Sequence, residues 1–173
     1  PSPDIGILGR AFSGESFICG LVAGTNQHHE GIQQRLTNLL PGQSYRIHLH
    51  QAVVRQEYHM DTSGAWAIYQ DDKLIGITSI STSHLGWDSL DLEWDKRSIE
   101  FKAKSSSHLI KFLPWDDDNV FKGYVEDGYL RMGIDNISLE ELLDFEMMDD
   151  LELSLYPNPT LDQFYVDTKL MDY

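Results

Sequence analysis

The order of apolar and polar positions alternates over short stretches again and again along the chain, and this period-two pattern marks strands with one buried face. Tyr45, Ile47 and Leu49 interleave with Arg46, His48 and His50, which predicts a strand over 45–54 with one wet side. Residues 17–23 form an apolar run that reads as a buried strand ending at Gly24-Thr25-Asn26. Residues 65–69 and 74–77 flank Asp71-Asp72-Lys73 and together predict a hairpin. Residues 98–103 alternate cleanly, Ser105-Ser106-Ser107 is a turn, and 109–113 is expected to be the partner strand. Residues 129–139 close the domain with a strand containing Ile134 and Asp135. Within 30–36, Ile32 and Leu36 lie four apart, which suits a helix, while Gly31 and the turn at Pro41-Gly42 suit a strand equally well. No helical stretch of 10–15 residues separates the strands as a βαβ fold requires, so the class is all-β, a sandwich or barrel.

Residues 140–152 break this rhythm with seven acidic residues among Leu142, Leu143, Phe145 and the two methionines 147 and 148. Ser138 is placed to cap a short helix with Glu141 at its third position, and the stretch reads as an acidic linker. Beyond it, Pro157 and Pro159 on either side of Asn158 exclude a helix, because each ring fixes its own φ and pushes the preceding residue into an extended state. A stiff turn is therefore expected at Tyr156-Pro157-Asn158-Pro159, followed by a strand carrying Phe164 and Val166.

Composition adds limits. With 173 residues and 41% hydrophobic content, the chain accommodates one domain with a real core plus an appendage. Its net charge of −15 repels phosphate backbones and anionic headgroups, which excludes nucleic acid and acidic membrane surfaces as expected partners and favours calcium or a neutral ligand. No apolar run approaches the roughly 20 residues of a membrane span, so membrane insertion is not expected. The single cysteine, Cys19, has no internal partner and reads as a small buried hydrophobe.

Candidate chemistry lies in the loops. Trp87 and Trp94 occupy Gly86-Trp87-Asp88 and Glu93-Trp94-Asp95, and Trp115 precedes an aspartate run. Flat rings flanked by polar groups suit sugars, which present C–H faces edged with hydroxyls, so these three are the candidate carbohydrate-binding residues. Trp66 and Tyr69 sit on a strand and read as core. Asp116, Asp117, Asp118 and Asn119 form a run of oxygen donors of the kind hard cations take, which makes Asp116 and Asp118 candidate calcium ligands. His48 and His50 point to one face of their strand and are placed to share a metal. No glycine stands two before Ser13, as a nucleophile elbow requires.

Two resemblances follow. Glu30-Gly31-Ile32-Gln33-Gln34-Arg35-Leu36, then Leu40-Pro41-Gly42-Gln43-Ser44-Tyr45, then Ile134-Asp135-Asn136-Ile137-Ser138-Leu139 resemble, in their order, the galactose-binding-like jelly rolls. That resemblance implies a jelly-roll-like β-sandwich over 1–139, lacking the usual opening strand, and a structural calcium near Asp135. Tyr156-Pro157-Asn158-Pro159 with the strand after it resembles the start of the C-terminal sorting domain of type IX secretion. This implies a partial sorting domain over 154–173, joined by the 140–153 linker, and a secreted or cell-surface protein handled by the type IX machinery. The expected activity is non-catalytic binding of a glycan or extracellular matrix. A rival reading comes from Gly42, His48, His50, Glu57 and Gly64, which resemble the first cupin motif with a longer gap from His to Glu; it implies a metal-dependent enzyme. A spacer or adhesin domain without a ligand is the third.

Overall fold

The computed structural model describes residues 9–23, 28–54, 62–86, 89–116, 129–142, 155–157 and 164–166. By backbone proximity the chain divides into two units, Pro1–Leu142 and Leu143–Tyr173.

Alternation sets the first unit. Every described element in it is a strand: β1 (Ile18–Ala23), β2 (His28–Glu30), β3 (Ile32–Thr37), β4 (Ser44–Val53), β5 (Ser63–Gln70), β6 (Lys73–Ile77), β7 (Ser81–Thr82), β8 (Asp95–Lys102), β9 (Ser107–Trp115) and β10 (Tyr129–Leu142). They form two antiparallel sheets, β2-β1-β10-β4-β8 and β3-β9-β5-β6, with β7 paired to β5. The chain crosses between sheets at β2–β3, β3–β4, β4–β5, β7–β8, β8–β9 and β9–β10, as in the jelly-roll arrangement of a β-sandwich. The 30–36 segment is therefore strand: Ile32 pairs with Phe112 and Leu36 with His108. At Gly31 the chain steps from β2 in one sheet to β3 in the other, and a Cβ there would lie 2.1 Å from the Phe112 carbonyl oxygen. Only glycine permits that crossing.

The core fills the space between the sheets. Ile47 and Leu49 of β4, Leu130, Met132 and Ile134 of β10, Trp66 and Ile68 of β5, and Ile110 and Phe112 of β9 are all buried. Trp66 donates its indole N–H to the Gly133 carbonyl at 3.2 Å, so the largest buried ring is also satisfied. Gln51 lies among these apolar groups because Ser79 O, Ser81 Oγ and Thr78 Oγ1 satisfy its amide. Tyr69, on the opposite face of β5, is half-buried rather than core.

Three expectations change. β8 and β9 do not form a hairpin: β8 pairs with β4 and β9 with β3 and β5, in different sheets. The serine turn carries the chain across the sandwich, where it is fixed by His108, whose Nε2 accepts from the Lys104 and Ser105 amides at 2.9 and 3.2 Å. Nor is there a helix after Ser138. β10 runs on through Glu140 and Glu141 to Leu142, paired to Arg46, Tyr45 and Ser44. Glu140 meets Arg46 at 3.3 Å and His48 at 2.8 Å, and these cross-strand partners hold extended a segment that local capping alone would coil. Cys19 is half-buried, on the face of β1 opposite the core-facing Gly20, and burial pushes its thiol up to about 11.

In the second unit, β11 (Leu155–Pro157) pairs antiparallel with β12 (Phe164–Val166), Pro157 opposite Phe164. Tyr156 and Pro157 thus lie on a strand; Asn158 and Pro159 lie outside the described residues.

Candidate functional site

Aspartate and asparagine are poor strand residues, and side by side within β10 they break its register. Pairing with β4 runs from Met132↔Val53 to Asp135↔His50, then resumes at Ser138↔His48, so two residues of β10, Asn136 and Ile137, stand opposite one, Leu49. Asn136 takes the left-handed conformation, φ 50°, which asparagine tolerates better than most side chains. Asp135 braces this bulge with both carboxylate oxygens: one accepts the Asn136 amide at 2.6 Å, the other the Ser13 amide at 2.9 Å.

The second of these bonds ties residues 9–17 across the outer face of the sheet. Phe12 lies flat on His50, ring centroids 3.6 Å apart. Trp94 stands edge-on to Phe17 at 5.3 Å and to Phe12 at 6.5 Å, and donates its indole N–H to the Arg10 carbonyl at 3.0 Å. Beneath the rings is Gly133, where a Cβ would sit 3.1 Å from both Trp94 and Phe17, so the aromatic cluster lies closely on a glycine and any side chain there presses on both rings. The His50 imidazole is held below its usual 6.5, chiefly by burial and then by Lys96, with Asp135 opposing. Phe12 therefore stacks on an imidazole that is neutral at neutral pH.

Beside the bulge a cleft of about 340 Å³ opens. Ser16, Phe17 and Ile18 form one wall, and Ile134, Asp135, Asn136 and Ile137 the other. Three polar groups, the Ser16 hydroxyl, the Asn136 amide and the remaining lone pairs of Asp135, thus border aliphatic and aromatic surface. The volume is at the lower end for small-ligand pockets and matches one sugar ring better than a long chain.

Of the two candidate tryptophans among the described residues, Trp94 belongs to this region and Trp115 does not. Trp115 ends β9 on the second sheet, opposite Ala65, with its side chain on the face turned away from the core. Those two do not form one platform, and Trp87 lies outside the described residues. Asp135 lines the cleft, Asp116 is exposed at the end of β9, and Asp118 lies outside the described residues. Among the described residues no three His, Cys, Asp or Glu side chains converge, so neither Asp135 nor Asp116 gains a described ligand set for calcium. His48 and His50 share a face as expected but are engaged apart, His48 with Glu140 and His50 with Phe12; Glu57 lies outside the described residues. Phe12, Ser16, Phe17 and Asn136 were not legible as site residues by type. The available signal was Asp135-Asn136 inside an otherwise regular strand, the composition of a bulge.

No family description matches the chain, and no characterised protein matches it by sequence. Among solved structures it is similar to one described as "EclA C-terminal domain; sugar-binding protein", at 17% identity and a TM-score of 0.45, over 75% of this chain and 82% of that one.

Proposed function

We propose that this protein is a non-catalytic carbohydrate-binding module, with one sugar unit seated at the β10 bulge. The observation that carries the reading is the cleft itself, where Ser16, Asp135 and Asn136 stand against Phe17, Ile18 and Ile137. A pyranose presents C–H patches edged with hydroxyls, and such a wall of apolar carbons beside a few fixed donors and acceptors answers both. Asp135 is pre-organised for it, since its carboxylate is already oriented by two backbone amides. Trp94 acts from behind, holding Phe17 in place rather than meeting the sugar.

The test is a glycan array followed by titration calorimetry on the best ligand, with Asn136→Gly as the diagnostic variant. Glycine adopts the left-handed backbone at this position without strain and removes the amide together with its 3.4 Å contact to His50 Nδ1, which is solvent-exposed. Loss of glycan retention with an unchanged melting curve supports the site. Retention by the variant equal to that of the wild type, or no glycan retained by either, overturns it.

The reading extends to an exported or surface-displayed protein. It is supported by the Tyr156-Pro157-Asn158-Pro159 sequence and by the β11–β12 ladder, to which Tyr156 and Pro157 belong.

A further inference from the structure

Past Ile134, β10 has no paired strand on one side among the described residues. Its register with β1 ends at Ile18↔Ile134, while its other side stays paired with β4 as far as Leu142↔Ser44. Among the described residues no strand continues the line of β1 beside 137–142. In an antiparallel strand alternate residues direct their N–H and C=O groups to opposite sides, so this stretch presents a row of donors and acceptors without a ladder partner.

Next to that edge the two sheets part. A cleft of about 640 Å³ lies between β10 and β3, floored by Ile47, Ile110 and Phe112 and walled by Leu36 and Leu139. No residue lining it is charged. Ile18, Ile137 and Leu139 are 49%, 43% and 40% exposed, where sheet edges are ordinarily blunted with charge. Register fixes which side chains turn inward: Leu139 is paired to buried Ile47, and Glu141 to buried Tyr45. The inner face therefore reads apolar near Ile18 and acidic near Leu142.

We propose that this edge takes an extended peptide strand from another protein, antiparallel to β10 and in line with β1. An aliphatic chain would use the cleft but leave the backbone row unmatched, whereas a strand answers both. Its alternate apolar side chains enter the cleft, and a lysine or arginine toward its N-terminal end faces Glu141. The net charge of −15 favours a cationic partner in the same sense. This site adjoins the sugar cleft, with which it shares Ile18 and Ile137, but its argument does not depend on the sugar reading.

The probe is a synthetic hexapeptide, threonine-lysine-threonine-valine-threonine-valine, with a neutral fluorophore at its C-terminus, titrated into the full chain. Saturable binding is expected, together with slowed hydrogen exchange at amides within 137–142. Methylating the backbone nitrogens of one alternate set of peptide residues should abolish binding, and methylating the other set should not. Glu141→Lys, an exposed substitution, should weaken this peptide several-fold and favour a version with glutamate in place of lysine. Equal tolerance of the two methylation sets overturns the proposal. So does saturation of the cleft by dodecyl maltoside without any peptide binding, or protection of the same amides by concentration-dependent dimerisation alone.

Discussion

The imidazole of His50 and the ring of Phe12 lie 12° from parallel with centroids 3.6 Å apart, joining β4 to the segment that approaches β1. Two residues 38 positions apart in the sequence thereby fix one wall of the region around the β10 bulge. The stack is formed by a neutral imidazole, and protonation places a charge against a partly desolvated ring.

This gives a pH dependence with a definite sign. The folded-state value of His50 lies below its usual 6.5, so the unfolded chain binds the proton more readily. The stability from this group is present above the unfolded value and is lost as pH falls through the folded one. Thermal melts at pH 7.5 and 5.5 should show a steeper loss for the wild type than for His50→Asn; equal slopes would remove His50 as the cause. The carboxylates of Asp71 and Glu140 are also held low, by the Leu109 amide and by His48 respectively, but from usual values of 3.8 and 4.5. Their contributions are lost only at lower pH and do not overlap this window.

Gly133→Ala should strain the aromatic cluster. The added methyl would lie 3.1 Å from Phe17 and from Trp94, so both rings must move, at a cost of about 1–3 kcal/mol for overpacking. A shifted tryptophan emission and weaker glycan retention should accompany the lower denaturation midpoint. A variant with wild-type stability and emission would show that the rings are not seated as described.

Ile134→Ala empties a packed site, since Ile134 is 1% exposed in the core cluster. The expected loss is about 2–5 kcal/mol in urea unfolding with an unchanged slope. A loss below about 1 kcal/mol would contradict the inward face of β10.

His108→Ala tests the serine turn. His108 is buried, 2% exposed; its Nε2 accepts from two turn amides and its Nδ1 meets Asp71 of the β5–β6 turn. Removing it leaves those amides without their acceptor, at about 1–3 kcal/mol. Amide exchange at 104 and 105 should accelerate more than at β4; uniform acceleration would mean the loss is not local.

For export, a reporter fused upstream of residues 154–173 should be secreted in a type IX-competent host and retained in the periplasm when Tyr156 onward is deleted. Unchanged secretion after deletion removes the sorting proposal. The same experiment bears on localisation, since a protein retained in the cytoplasm with the tail intact has no use for such a signal.

The alternation of Tyr45, Ile47 and Leu49 with Arg46, His48 and His50 was sufficient to define β4, because a side-chain period of two is a local property of extended backbone. The same holds for the β5–β6 hairpin, where Asp71 and Asp72 take positive φ, as a tight turn between paired strands demands. Sequence therefore determined the all-β class, most strands, and Ile134 and Trp66 as core. It did not determine which strands pair. Residues 98–103 and 109–113 look like a hairpin in one dimension, yet they belong to different sheets, because each finds its ladder partners at long range, β8 on β4 and β9 on β3 and β5. Whether 138–142 coils or extends was likewise decided from a distance, by Arg46, His48 and Tyr45 on β4. The tryptophans were visible as residue types, but tertiary structure alone separated Trp94 from Trp115 and brought Phe12, Phe17, Asp135 and Asn136 together. A cleft is made by surfaces that meet through long-range pairing, and no local pattern records that meeting.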